Sequence, residues 1–134
     1  MNAPGPVARL ALVGAMLALV LVACGGAGQT TTLTAAASGR TVELRIGDEL
    51  VLQLDGSPGT GFDWELATTG APVLSLRERS VGSTSTLPGG PATVTYRFRA
   101  AADGQAKLVA VYRRSWESLP PERTAELTIV ARRP

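Results

Sequence analysis

Apolar side chains fall at every second position in segment after segment of this chain, and that period restricts it to β-structure. Val42, Leu44 and Ile46 alternate with Thr41, Glu43 and Arg45; Leu50, Leu52 and Leu54 alternate with Val51, Gln53 and Asp55. Phe62, Trp64 and Leu66 alternate with Asp63 and Glu65, and Val94, Tyr96 and Phe98 with Thr93, Thr95, Arg97 and Arg99. Leu108, Ala110 and Tyr112 alternate with Lys107, Val109 and Val111, which reads as a strand buried on both faces. Ala125, Leu127 and Ile129 alternate with Thr124, Glu126 and Thr128, and a shorter strand, Val73, Leu74 and Leu76, follows Pro72. Turn residues separate these runs: Gly47-Asp48, a loop at 56–61, a long loop at 80–91, Asp103-Gly104, and a loop at 113–121. About seven short strands at this spacing predict an all-β domain over residues 40–134, an immunoglobulin-like β-sandwich.

The start of the chain reads as an address and not as part of that domain. Residues 10–23 run without a charge after the single basic residue Arg9. A bilayer-spanning helix needs roughly 20 apolar residues, so this run fits the core of a signal peptide better. Leu21-Val22-Ala23-Cys24 resembles a bacterial lipobox, in which the cysteine is lipidated and becomes the new N-terminus. Residues 1–23 are therefore expected to be a lipoprotein signal peptide, with Cys24 the lipidation site. The implied location is extracytoplasmic, on a membrane, with the bilayer as a partner through acylated Cys24. An uncleaved signal anchor with an incidental Cys24 is the other reading. Residues 25–39 (GGAGQTTTLTAAASG) hold one large apolar residue, Leu33, and are expected to be a flexible tether.

Composition removes several chemistries. Histidine is absent, which removes Ser-His-Asp and Cys-His catalysis and histidine metal sites. A single cysteine leaves no internal disulfide and no thiolate cluster. Thirteen basic and 11 acidic residues are interspersed, with no basic stripe carrying aromatics, so nucleic acid is not an expected partner. No cofactor or metal is expected, and the expected state is a monomer. The glycines at 56, 59 and 61 lack the Lys-Ser/Thr ending of a phosphate loop and lead into a strand. Ser115 has no base to activate it, and Asp48-Glu49 reads as a solvated turn, not a pair of catalytic carboxylates.

The unusual residues sit in three loops. The first, Gly56-Ser57-Pro58-Gly59-Thr60-Gly61, is stiffened by Pro58 and carries Thr60 on a slim backbone that can enter a narrow slot. The second has Gly82, Gly89 and Gly90 around Leu87-Pro88. The third sets Trp116 among Arg113, Arg114, Ser115 and Glu117, ahead of Pro120-Pro121. Alternating strand connections place all three loops at one end of a sandwich, a common binding design. Trp64 shares a strand face with Phe62 and Leu66 and is expected in the core. Trp116 has no strand face to fill. It is either an interface anchor or a side chain folded back on the domain edge.

These loops resemble those of the chagasin-type inhibitors of cysteine peptidases. Ser57-Pro58-Gly59-Thr60-Gly61-Phe62-Asp63-Trp64 is similar to that family's Asn-Pro-Thr-Thr-Gly-Tyr/Phe-x-Trp motif. Tyr112-Arg113-Arg114-Ser115-Trp116-Glu117 is similar to its Tyr-x-Arg-Pro-Trp-Glu segment. Gly89-Gly90 and the strand around Tyr96 fall where the family has a Gly-rich loop and an aromatic strand. The resemblance spans residues 42–130. It implies a non-enzymatic inhibitor of papain-like cysteine peptidases that fills the active-site cleft with its loops. Carried over by position, Pro58, Gly59, Thr60, Gly61 and Phe62 would meet the peptidase at the cleft, Arg114 and Trp116 on one side, and Gly89 and Gly90 on the other. Ser57, Gly59 and Ser115 depart from the motif, and the middle loop lacks a clear Gly-x-Gly-Gly run. A looser first loop would cost affinity on ordering. A surface lipoprotein that binds another envelope protein or polymer, with no peptidase target, is the second reading.

Overall fold

Eight strands carry the alternating segments in a computed structural model that describes residues 28–83 and 90–134. The expected signal segment 1–23, Cys24 and Gly89 lie outside the described residues. The strands are β1 (Thr30–Thr34), β2 (Thr41–Arg45), β3 (Glu49–Gly56), β4 (Asp63–Thr69), β5 (Leu74–Ser83), β6 (Ala92–Ala100), β7 (Gly104–Arg113) and β8 (Arg123–Arg132). They form two four-stranded sheets, in the orders β1-β3-β6-β5 and β2-β8-β7-β4. The pairs β1/β3 and β2/β8 are parallel; the other four are antiparallel.

The inward residues are those the alternation selects. Leu50, Leu52 and Leu54 face Phe98, Tyr96 and Val94 in register across β3 and β6. Trp64, Leu108, Leu127 and Ile129 supply the other sheet, and all four are essentially inaccessible. Each such side chain contributes roughly 1.5–3 kcal/mol by leaving water. No buried polar or charged residue interrupts this layer among the described residues. Val109 and Val111, on the outer face of β7, are only half-buried, so that strand has one fully buried face and not two.

The expected tether is corrected for most of its length. Residues 30–34 form β1, an edge strand that extends the first sheet, and a 3₁₀ turn over Ala35–Ala37 leads across to the second sheet. Four of the five β1 residues are threonine, whose branched side chain suits a half-exposed strand. Leu33 and Ala35 pack against the core and Ala37 is buried within it. Small residues therefore close this flank of the sandwich without the large apolar side chains that usually announce a strand. The fifth strand also runs to Ser83, beyond the expected start of the long loop at residue 80.

The pairing register fixes which loops share an end. Gly56 at the end of β3 pairs with Ala92 at the start of β6, and Ser83 at the end of β5 pairs with the same Ala92. Asp63 at the start of β4 pairs with Arg113 at the end of β7, and Tyr112 pairs with Arg123 at the start of β8. The three loops of interest thus spring from one pole. The turns after β2, β4 and β6 occupy the other.

Candidate functional site

The first loop leaves β3 at Gly56 and turns at once. A Cβ on Gly56 would lie 2.9 Å from Cε2 of Tyr112, so glycine here lets the backbone pass over the tyrosine ring. The Ser57 N–H donates to the Tyr112 hydroxyl at 2.9 Å. Residues Pro58–Thr60 then form a single 3₁₀ turn. The Thr60 N–H and the Thr60 hydroxyl both donate to the Ser57 carbonyl, at 3.0 and 2.6 Å. Gly59 and Thr60 are exposed at the tip. Gly61 closes the loop at φ +85°, a conformation that L side chains rarely adopt.

The third loop is fastened to the first. Nε of Arg114 donates to the Thr60 carbonyl at 3.1 Å, and its guanidinium lies 4.4 Å from the centre of the Phe62 ring. The same guanidinium donates through Nη1 to Glu117 at 3.1 Å. A turn closed by the Glu117 N–H and the Arg114 carbonyl, 3.1 Å apart, lifts Trp116 between them. The indole projects over Gly61 and is 69% exposed. Expected as a contact for a partner, Arg114 is spent largely inside the molecule: it is a strut between two loops. Trp116 packs over Gly61 and leaves most of its surface open.

Tyr112 is the hub under both loops, and its role was not assigned from the sequence. Its ring stacks on Phe62 at 5.3 Å and meets Trp64 at 5.2 Å. Arg123 covers both Trp64 and Tyr112, with its guanidinium carbon 5.0 and 5.2 Å from the two ring centres. Arg123 also donates to the Asp55 carbonyl at 3.0 Å, and Trp64 Nε1 donates to that same oxygen at 3.1 Å. The base of the first loop is thereby tied to β4 and β8. Alternation identified Tyr112 and Trp64 as inward-facing; which polar atom each would hold depends on tertiary placement.

A second network closes the side between β4 and β5. Arg79 pairs with Asp63 at 2.7 Å, and its Nε donates to the Tyr96 hydroxyl at 3.2 Å. The Tyr96 hydroxyl in turn donates to the Trp64 carbonyl at 2.8 Å. The hydrogen bond that Arg79 donates to Tyr96, with the charge of Asp63, raises the Arg79 pKa above its ordinary value. Beside the third loop, Phe62, Arg113, Arg114 and the Leu119–Pro120 stretch border an open cavity of about 370 Å³. Leu119 is 66% exposed there, an apolar side chain that sequence reasoning passed over because it lies outside any alternating run.

Of the nine residues expected to meet a partner, seven come together at this pole with described surroundings or backbone: Gly59, Thr60, Gly61, Phe62, Arg114 and Trp116, with the backbone of Pro58. Gly90 sits half-buried at the foot of the second loop, next to Pro91 and the start of β6. The described residues contain no group of three or more His, Cys, Asp or Glu side chains able to hold a metal ion. What the pole offers is a stiff, slim projection flanked by an exposed indole: a surface built for occupying a groove.

The family model described as "Chagasin family peptidase inhibitor I42" matches residues 43–129. The chain belongs to the chagasin family of peptidase inhibitors. A comparison with curated proteins gives no match. Among solved structures, this chagasin-family domain is similar to a cysteine protease inhibitor from Entamoeba histolytica, with a TM-score of 0.70 and 22% identity over 78% of this chain and 96% of that one. Amebosin is similar at a TM-score of 0.65, with 22% identity over 78% of this chain and 98% of that one. The inhibitor PbICP-C, solved in complex with falcipain-2, has a TM-score of 0.54 and 20% identity, covering 78% of this chain and all of that one, 100%. At these identities the structural likenesses establish the chagasin-family sandwich fold, while family membership rests on the match across residues 43–129.

Proposed function

We propose that this chain inhibits papain-like cysteine peptidases by lodging its first loop in their active-site cleft. The observation that carries the reading is the pole itself: an exposed Gly59-Thr60 tip on a hydrogen-bonded 3₁₀ turn, braced from below by Tyr112 and from the side by Arg114, with Trp116 standing free beside it. The family match and the complex of PbICP-C with falcipain-2 support the same partner class.

Inhibition on this geometry is steric. The 3₁₀ turn keeps the backbone at 58–60 curled, so no peptide carbonyl is offered in the extended form that a peptidase cleft aligns for attack. The tip excludes water and substrate from the catalytic thiolate. Trp116 packs on one cleft wall, and Gly89 and Gly90 reach the other. Arg114 acts chiefly by holding the first loop in its bound shape, which lowers the ordering cost of binding. With Ser57 and Gly59 in place of the motif residues, the first loop is braced by the bonds Ser57 N–H to Tyr112, Thr60 hydroxyl to Ser57, and Arg114 to Thr60. A standard interface of about 1,600 Å² is expected, with affinity set by loop fit and not by area. Cys24 carries the lipid that holds the chain on the outer side of a membrane, and the inhibitor acts as a monomer.

Steady-state kinetics of the purified chain against papain should give competitive inhibition, lost when the papain thiol already carries a bulky covalent adduct. Absence of inhibition at micromolar concentration across several papain-like enzymes would remove the reading.

A further inference from the structure

We propose that the pole opposite the three loops is the membrane-facing surface of this protein, so that the inhibitory loops point away from the bilayer toward a peptidase in the aqueous phase. The inference rests on the reading of Cys24 as the membrane attachment, and goes beyond it by assigning an orientation and a lipid-facing surface.

The path of the chain entering β1 decides the orientation. Because β1 runs parallel to β3, Thr30 lies beside Glu49, at the far end of the sandwich from Gly56. The entry is fastened there. The Gln29 N–H donates to Oδ1 of Asp48 at 3.0 Å, and the Glu49 N–H donates to the Gln29 carbonyl at 2.9 Å. Gly28 lies so close to the Gly47 carbonyl that a Cβ would come within 2.1 Å of its oxygen. The covalent lead from Cys24 therefore meets the folded domain at the turn after β2, on the pole away from Thr60 and Trp116.

Length then excludes the inverted arrangement. Four residues lie between Cys24 and Gln29, which makes five Cα-to-Cα steps. Fully extended, they span at most about 18 Å. The eight residues of β3 rise about 26 Å from the entry pole toward the loop pole. A domain turned upside down would need a tether at least that long to set its loops on the bilayer, and the chain is too short. As free chain, the fifteen residues 25–39 would give a tether of ample reach; with β1 folded into the sheet, that reach is gone.

The surface at the entry pole suits lipid headgroups. Arg45, Arg132 and Arg133 are exposed there, facing Asp48 and Asp103, with Glu43 two residues up β2. The ion pairs of Arg132 with Glu43 and Arg133 with Asp103 are long, 3.8 and 3.9 Å, and open to water, so both guanidinium groups can turn to phosphate. The rival arrangement has the exposed Trp116 and Leu119 dip into the bilayer instead, and the test separates the two.

The full lipoprotein, with the Cys24 thiol occupied by its lipid, is placed in vesicles of three parts phosphatidylcholine to one part phosphatidylglycerol containing a headgroup-borne spin-label quencher. A fluorophore is attached through Asp103→Cys at the entry pole or Ser115→Cys at the loop pole. At least threefold stronger quenching at 103 than at 115 is expected, together with papain inhibition within twofold of that of the same lipoprotein in detergent. Quenching at 115 equal to or above that at 103, or a tenfold loss of inhibition on vesicles, overturns the orientation while leaving the inhibitor reading intact. A chain that lacks the diacylglycerol mass on Cys24 and does not float with the vesicles overturns the attachment and the orientation together, again without touching papain inhibition.

Discussion

The indole of Trp116 covers Gly61 so closely that a methyl group on Gly61 would lie 2.4 Å from Cη2 and 3.0 Å from Cζ2. Gly61 is also at φ +85°. Glycine is thus required twice at this position, once by the backbone and once by the tryptophan. Gly61→Ala should cost about 1 kcal/mol of stability through the backbone alone. It should also raise the inhibition constant for papain at least tenfold, because the indole must move. A double-mutant cycle checks the second part: in a Trp116→Ala background, the added effect of Gly61→Ala on binding should shrink to a few-fold. An undiminished effect would show that the two residues act separately.

Trp116 itself should behave as a binding residue and not as a core residue. It is 69% exposed, so truncation removes little buried area. Trp116→Ala should leave the melting temperature within about 2 °C while weakening inhibition by about 2 kcal/mol or more, roughly thirtyfold. Trp64→Ala, by contrast, deletes a fully buried side chain and should destabilise by about 3–5 kcal/mol. Thermal melts of both variants beside inhibition curves make the comparison.

The brace below the first loop predicts a split between affinity and stability. Tyr112→Phe removes one hydroxyl and strands the half-buried Ser57 N–H, at about 1–3 kcal/mol. The ring contacts with Phe62 and Trp64 survive the change. Arg114→Lys removes the planar contact on Phe62 along with the bond to Thr60, whereas Glu117→Gln keeps a hydrogen-bond acceptor for Arg114. Surface plasmon resonance against inactivated papain with a free cleft should therefore find faster dissociation for Tyr112→Phe and Arg114→Lys. Glu117→Gln should change dissociation by threefold at most, since the Arg114–Glu117 pair is about a third exposed.

What could be read from the sequence follows the physics of side-chain period. Leu50, Leu52 and Leu54 announce β3 because three large apolar residues mark one face, and Trp64 announces its burial the same way. The grouping of the three loops at one pole follows from strands that alternate in direction, and the ladder Gly56–Ala92–Ser83 bears it out. The role of Arg114 was not legible. The residue type fits both a partner contact and an internal strut, and only the position of the Thr60 carbonyl reveals the strut. Tyr112 likewise shows its ring in the pattern but not the amide its hydroxyl meets. β1 escaped detection because Leu33 is the one apolar residue of Thr30–Thr34 and is only half-buried, so the hydrophobic signal that defines the other strands is nearly missing.

That weak strand yields the last prediction. β1 contributes a full parallel ladder of five paired residues along β3, and the chain leaving it buries Ala37 in the core. A chain beginning at Arg40 keeps every strongly alternating segment, so a reading from period alone expects it to fold as well as the whole domain. The structure gives the opposite expectation. Loss of residues 28–39 exposes the edge of β3, uncovers the flank of β3 and β8 that the Ala35–Ala37 turn packs against, and removes the bond from Gly39 N–H to the Glu126 carbonyl at 2.7 Å. With about 1 kcal/mol for burying Leu33 and Ala37 and about 0.5–1.5 kcal/mol for each lost ladder bond, offset in part by the chain entropy released, the cost should be on the order of 3 kcal/mol. Urea denaturation of chains beginning at Gly28 and at Arg40 measures it directly. A midpoint unchanged between the two would mean that β1 adds nothing, and that residues 25–39 form a tether after all.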